Sequence, residues 1–121
     1  MRKIASFLII ICFAFPAFAE KLSDQQRIDA LLETLSTSDI VFVRNGVDMD
    51  AASARLHLEE KLKKTKGVTT VEDFINKVGS TCERTGKPYL IRQPDGKTME
   101  AGQWFRDQLK EIPVDDSEII D

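Results

Sequence analysis

The stretch Ile40-Val41-Phe42-Val43-Arg44-Asn45-Gly46-Val47-Asp48-Met49-Asp50 decides the fold. Its first four side chains are β-branched or aromatic, as strands prefer. Asn45-Gly46 is a two-residue hairpin signal, because both central positions of such a turn need φ > 0. Val47 to Met49 then reads as a short return strand, and Asp50 as the N-cap of a helix. The unit is strand, tight turn, strand, helix.

Working outward, the same grammar recurs. Ser23 and Gln26 form a capping box, after which Ile28, Leu31, Leu32 and Leu35 fall at i, i+3, i+4 and i+7 of a first helix. Behind Asp50, a second helix carries Ala51, Ala54, Leu58 and Leu62 on one face. Lys63, Lys64 and Lys66 suit its C-terminal dipole, and Gly67 is expected to close it. Thr69 and Glu72 read as a second capping box before Val71, Phe74, Ile75, Val78 and Gly79. Tyr89 to Arg92 is a further strand, Pro94-Asp95-Gly96 a turn, and Lys97 to Met99 a return strand. The last helix carries Ala101, Trp104, Phe105, Gln108, Leu109 and Ile112, and Pro113 stops it. Trp104 and Phe105 are read as core on this stripe.

Each half therefore reads helix, strand, Gly turn, short strand, helix. Shifting Ile28, Leu31, Leu32 and Leu35 by 43 lands on Val71, Phe74, Ile75 and Val78, a weak internal repeat. The expected fold class is a small single α+β domain, two α-β-β-α halves around a short antiparallel sheet packed by helices.

The N-terminal segment is of a different kind. Arg2 and Lys3 precede an apolar run from Ile4 to Phe15, then Pro16 and Ala17-Phe18-Ala19. That order is expected of a secretory signal peptide over residues 1–19, cleaved before Glu20, with no membrane span left after cleavage. Residues 20–113 then form the α+β domain, and 114–121, with Asp115, Asp116, Glu118 and Asp121, an acidic disordered tail. The expected location is the periplasm. The whole chain has a formal net charge of −3, and losing Arg2 and Lys3 makes it more acidic. An acidic chain offers no electrostatic reason to bind nucleic acid. Cys12 leaves with the leader, so Cys82 has no intrachain disulfide partner.

Several segments together resemble the YfeK-like family of small secreted bacterial proteins. They are Phe42-Val43-Arg44-Asn45-Gly46, His57-Leu58 with Lys61, Asp73-Phe74-Ile75 with Lys77-Val78, Gly86-Lys87-Pro88-Tyr89-Leu90-Ile91-Arg92, Asp95-Gly96 and Trp104. The resemblance implies an exported, periplasmic domain and assigns no activity, cofactor or catalytic residue. Where the family pattern has Ser-x-Ser ahead of Gly-x-Pro-Tyr, this chain has Ser80-Thr81-Cys82, which argues against a catalytic role for the cysteine.

The chemistry-bearing residues are few. His57 is the sole histidine, no cluster has the spacing of a metal site, and no cofactor is expected. Asp48, Asp50 and Glu59 imitate part of a calcium loop, but Ala52 and Ser53 stand where an oxygen ligand and a Gly are needed. Arg44 and Arg92 each end a strand. If those strands pair, two guanidiniums would stand together beside Tyr89 and Asn45 as a site for a carboxylate or other anion. Weaker candidates are His57, Ser80 and Cys82, a base with one of two nucleophiles. The leading expectation is a non-catalytic binding module for a periplasmic protein or a small anionic ligand. The alternatives are a small hydrolase using Ser80 or Cys82 with His57, and an inhibitor of a cell-wall-degrading enzyme.

Overall fold

The computed structural model describes residues 22–112; the expected leader over 1–19 and tail over 114–121 lie outside the described residues. Helix α1 (Asp24–Thr37) starts at the expected capping box. Ser23 Oγ accepts from the Gln26 N–H at 3.1 Å, while Gln26 Oε1 accepts from the Ser23 N–H at 2.8 Å. Its buried residues are Ile28, Leu31, Leu32 and Leu35. Strands β1 (Val41–Arg44) and β2 (Val47–Asp50) enclose Asn45 and Gly46, at φ 50° and 80°. Both central residues are thus left-handed, as a two-residue hairpin needs. Asp50 caps α2 (Ala51–Lys64) by accepting from the Ser53 N–H at 2.7 Å.

Three helix ends differ from expectation, one of them that of the last helix, which stops at Lys110 rather than running through Ile112 to Pro113. Helix α2 ends at Thr65, whose N–H bonds the Leu62 carbonyl and whose hydroxyl bonds the Lys61 carbonyl at 2.6 Å. Gly67 therefore sits beyond the cap. The second capping box is Thr70 with Asp73, one residue later than Thr69 with Glu72. Asp73 Oδ2 accepts from the Thr69 N–H, the Thr69 hydroxyl and the Thr70 N–H, each at 3.1 Å, a set that Glu72 does not make. These bonds hold its carboxyl at a pKa of about 2.

Helix α3 (Val71–Phe74) continues without a break into a π-helical turn, Ile75–Gly79. The Ser80 hydroxyl takes up the Ile75 carbonyl. The widened turn brings Gly79 against Phe105, where an added Cβ would lie 2.8 Å from the ring. Strands β3 (Leu90–Arg92) and β4 (Thr98–Glu100) form the second hairpin, and α4 (Ala101–Lys110) follows.

The sheet is antiparallel throughout, in the order β2-β1-β3-β4. Exchanging the two α-β-β-α halves leaves this order unchanged. The central register pairs Phe42 with Ile91 and Val41 with Arg92. Side chains alternate across a strand. Phe42 and Ile91, both 0% exposed, thus point toward the helices, together with Met49 and Met99 opposite them. Phe74, Phe105 and Trp104 complete the core through edge-on ring contacts at 5.7 and 5.3 Å. The halves differ in one way that matters. Helix α1 reaches β1 across three residues, Ser38 to Ile40, whereas residues 80–89 separate the π turn from β3.

Candidate functional site

That longer segment builds a cavity. It doubles back on itself, with the Tyr89 N–H on the Ser80 carbonyl at 2.9 Å and the Cys82 N–H on the Lys87 carbonyl at 2.9 Å. Its inner turn closes through the Gly86 N–H on the Cys82 carbonyl at 2.7 Å. Asn45, at the tip of the first hairpin, ties this loop down. Its Oδ1 accepts from the Thr85 hydroxyl at 2.9 Å and its amide donates to Cys82 Sγ at 3.5 Å. The two bonds use opposite ends of the amide and fix its orientation.

Helix α2 supplies the facing wall. His57, Lys61 and Lys64 fall at i, i+4 and i+7, one face of the helix. They line a cavity of about 180 Å³ with Arg44, Glu60, Cys82, Glu83, Arg84 and Tyr89. The space suits a small acid or a few waters rather than a large ligand. Four cationic side chains meet two carboxylates there, in a chain that is acidic overall.

Tyr89 is the hub. It is 1% exposed and packs on Phe42 with ring centroids 4.9 Å apart. Its Oη lies 3.1 Å from His57 Nε2 and accepts from Lys61 Nζ at 3.3 Å. Burial, followed by the charge of Cys82, raises the phenol pKa, so it stays protonated at neutral pH. His57 packs edge-on to the Tyr89 ring at 5.9 Å. Burial first, then Arg44 and Lys61, push its pKa below the usual value, and the ring is neutral. An ammonium can only donate, so the phenol proton is available for Nε2 of that neutral imidazole.

Lys61 is the residue that periodicity missed. It is 9% exposed and donates to the Thr81 carbonyl at 2.5 Å as well as to Tyr89. Its ammonium lies 5.0 Å from the Tyr89 ring centroid. Among the described residues no carboxylate forms an ion pair with it. Burial lowers its pKa, and Glu83 and Cys82 oppose the shift through their charge. Leu62, expected on the buried face, is half-buried instead. Arg44 Nε is also buried and, among the described residues, without a hydrogen-bond partner.

Cys82 is a free cysteine, 2% exposed. The Asn45 amide, then the backbone N–H of Thr85, draws its pKa down to about 6 against the effect of burial. Its position matches that of an acceptor held by donors.

The sequence candidates therefore divide. Arg44, Asn45, His57, Cys82 and Tyr89 come together at or beside one cavity. Arg92 does not join them. The register that pairs Phe42 with Ile91 puts Arg44 on the helix-facing side of the sheet and Arg92 on the other. There Arg92 makes a two-pronged ion pair with Asp48, at 2.9 and 3.0 Å. The two arginines cannot share a ligand. Ser80 spends its hydroxyl on the Ile75 carbonyl, beside Gly102. Among the described residues no group of three His, Cys, Asp or Glu is placed to hold a metal, and no helix is long and apolar enough to cross a membrane.

Comparison with known proteins agrees with the resemblance. Residues 22–113 match the model of a family described as a family of unknown function, DUF5329. The chain is 38% identical over 92 residues to the uncharacterized protein YfeK of Salmonella typhimurium, covering 74% of this chain and 77% of that protein. No solved structure matches.

Proposed function

We propose that this chain, which belongs to the family of unknown function DUF5329, is a non-catalytic binding module for a small anionic ligand, held in the cavity between α2 and the loop over residues 80–89. One observation carries the reading: the ammonium of Lys61 is buried and, among the described residues, forms no ion pair with a carboxylate. A buried charge normally costs several kcal/mol unless an opposite charge compensates it. The lining supplies further donors for an anion in Arg44, Lys64 and Arg84. Succinate and sulfate, titrated by calorimetry at low salt, should bind the wild-type protein. Lys61→Met should lose that binding. A wild-type protein that takes up neither anion, or a variant that binds them equally well, would remove the proposal.

Export to the periplasm is part of the same reading, supported by the charged start, apolar run and Ala17-Phe18-Ala19 of the leader. Intact mass of protein from its native host should correspond to a chain beginning at Glu20. A retained Met1 would count against export by cleavage. The hydrolase reading draws some support from Cys82 and His57 lining one cavity. His57 Nε2, however, is engaged by Tyr89 rather than by either nucleophile.

A further inference from the structure

The anion reading leaves one group in the cavity without a role. Cys82 is not an isolated thiol. It shares its cavity with a buried cation, Lys61, whose third N–H has no acceptor among the described residues. The guanidinium of Arg44, with its buried and unpartnered Nε, lines the same space. Asn45 donates to the sulfur from the hairpin tip, and Thr85 locks Asn45 in that orientation. Four cationic groups (Arg44, Lys61, Lys64 and Arg84) against two carboxylates (Glu60 and Glu83) thus share the cavity with a sulfur held as an acceptor. A carboxylate drawn to the cations is brought beside the nucleophile.

We propose that Cys82 is a covalent capture site for low-molecular-weight disulfides that carry carboxylates, forming a reversible mixed disulfide inside the cavity. The proposal rests on the anion reading of this cavity and names its ligand class. The Cys82 thiolate attacks one sulfur of the bound disulfide. A new S–S bond forms, the old one breaks, and its electron pair leaves on the other sulfur as a free thiolate. The incoming disulfide is the oxidant, so no further reagent is required. Arg44 and Lys61 hold the carboxylate of the captured half, and a second thiol reverses the step by the same exchange. Geometry and electrostatics agree: a thiol with a pKa of about 6 is ionised at neutral pH, when an ordinary thiol is not. Tyr89 and His57 stay neutral across that range and leave the cations free to steer.

The test compares two aliphatic disulfides of similar size and opposite character. The full chain carrying Cys12→Ser, so that Cys82 is its one thiol, is mixed with 3,3′-dithiodipropionate or with neutral bis(2-hydroxyethyl) disulfide. Adduct formation is followed by intact mass after acid quench. The dianion should react ~10-fold or more faster than the neutral reagent at low salt, the advantage shrinking as salt is added. The rate for both should be half-maximal near pH 6. Lys64→Gln and Arg84→Gln, at exposed positions that should leave the fold intact, should each reduce the preference for the dianion. Equal rates for the two reagents, or rates that still climb between pH 8 and 9, would overturn the proposal. Succinate binding by the same protein separates the premises. If succinate binds but Cys82 behaves as an ordinary thiol, only the covalent step falls. If succinate does not bind and the dianion has no advantage, the anion site itself is lost.

Discussion

Lys61 and Arg92 illustrate how one charged side chain can be given a role and another denied it. Arg92 and Asp48 are 38% and 55% exposed, so their ion pair is screened by solvent despite its bidentate geometry. Arg92→Ala should barely move the urea midpoint and leave succinate binding unchanged. Lys61 behaves in the opposite sense. Replacing this buried ammonium by Met keeps the stem that packs and removes the charge that burial penalises. The melting temperature of Lys61→Met should therefore stay level or rise while anion binding is lost. A large fall in melting temperature would mean that the two hydrogen bonds to Thr81 and Tyr89 hold the loop, and that the lysine is structural.

At the scale of elements, the clearest local device is the box at Thr70 and Asp73. Thr70→Ala removes the acceptor for the Asp73 N–H, 3.0 Å away, and should cost ~1 kcal/mol, read as a lower urea midpoint with unchanged slope. Most elements of this kind were legible in the sequence, because hairpin turns, caps and helix faces are local. Asn45-Gly46 forces its own turn, and Ser23 with Gln26 its own cap, whatever lies elsewhere. What escaped the sequence depends on contacts between distant segments. Thr69 and Thr70 both offer a hydroxyl before the helix, and only the reach of Asp73 selects between them. Ala54, Leu58 and Lys61 are spaced as a buried face, yet Lys61 reads as solvated until the loop over residues 80–89 covers it. The partition of Arg44 from Arg92 needs the register of β1 against β3, and no local signal encodes a pairing between strands so far apart. Cys82 and Asn45 likewise meet only because the first hairpin tip touches the second half's extra loop.

On the scale of the whole molecule, the near-symmetry of the fold serves the core, and the longer loop over residues 80–89 serves the cavity. Among the described residues the four strands and four helices repeat a common plan, and the loop over residues 80–89 that departs from it helps enclose Cys82, Tyr89 and Lys61. Global stability should carry the mark of that cavity through its pH dependence. The Cys82 thiol has a pKa of about 6 in the folded protein against an ordinary value of 9.0. Between those values the unfolded chain holds a proton that the folded one has released, so stability must rise with pH. The contribution is fully present above pH 9 and is lost as pH falls through about 6. Lys61, with its pKa lowered by burial, adds the same sign toward the alkaline end, because the unfolded chain again binds the extra proton. His57, also lowered, extends the loss below its ordinary value of 6.5. Tyr89 works the other way, but only above its ordinary value of 10.0. The urea midpoint of reduced protein should therefore climb steadily from pH 6 to pH 9. Cys82→Ser should flatten that climb, because serine does not titrate there. A midpoint that stays level or falls across this interval in the wild-type protein would mean that the sulfur is not held as a thiolate, and that the donors around it serve only to shape the loop.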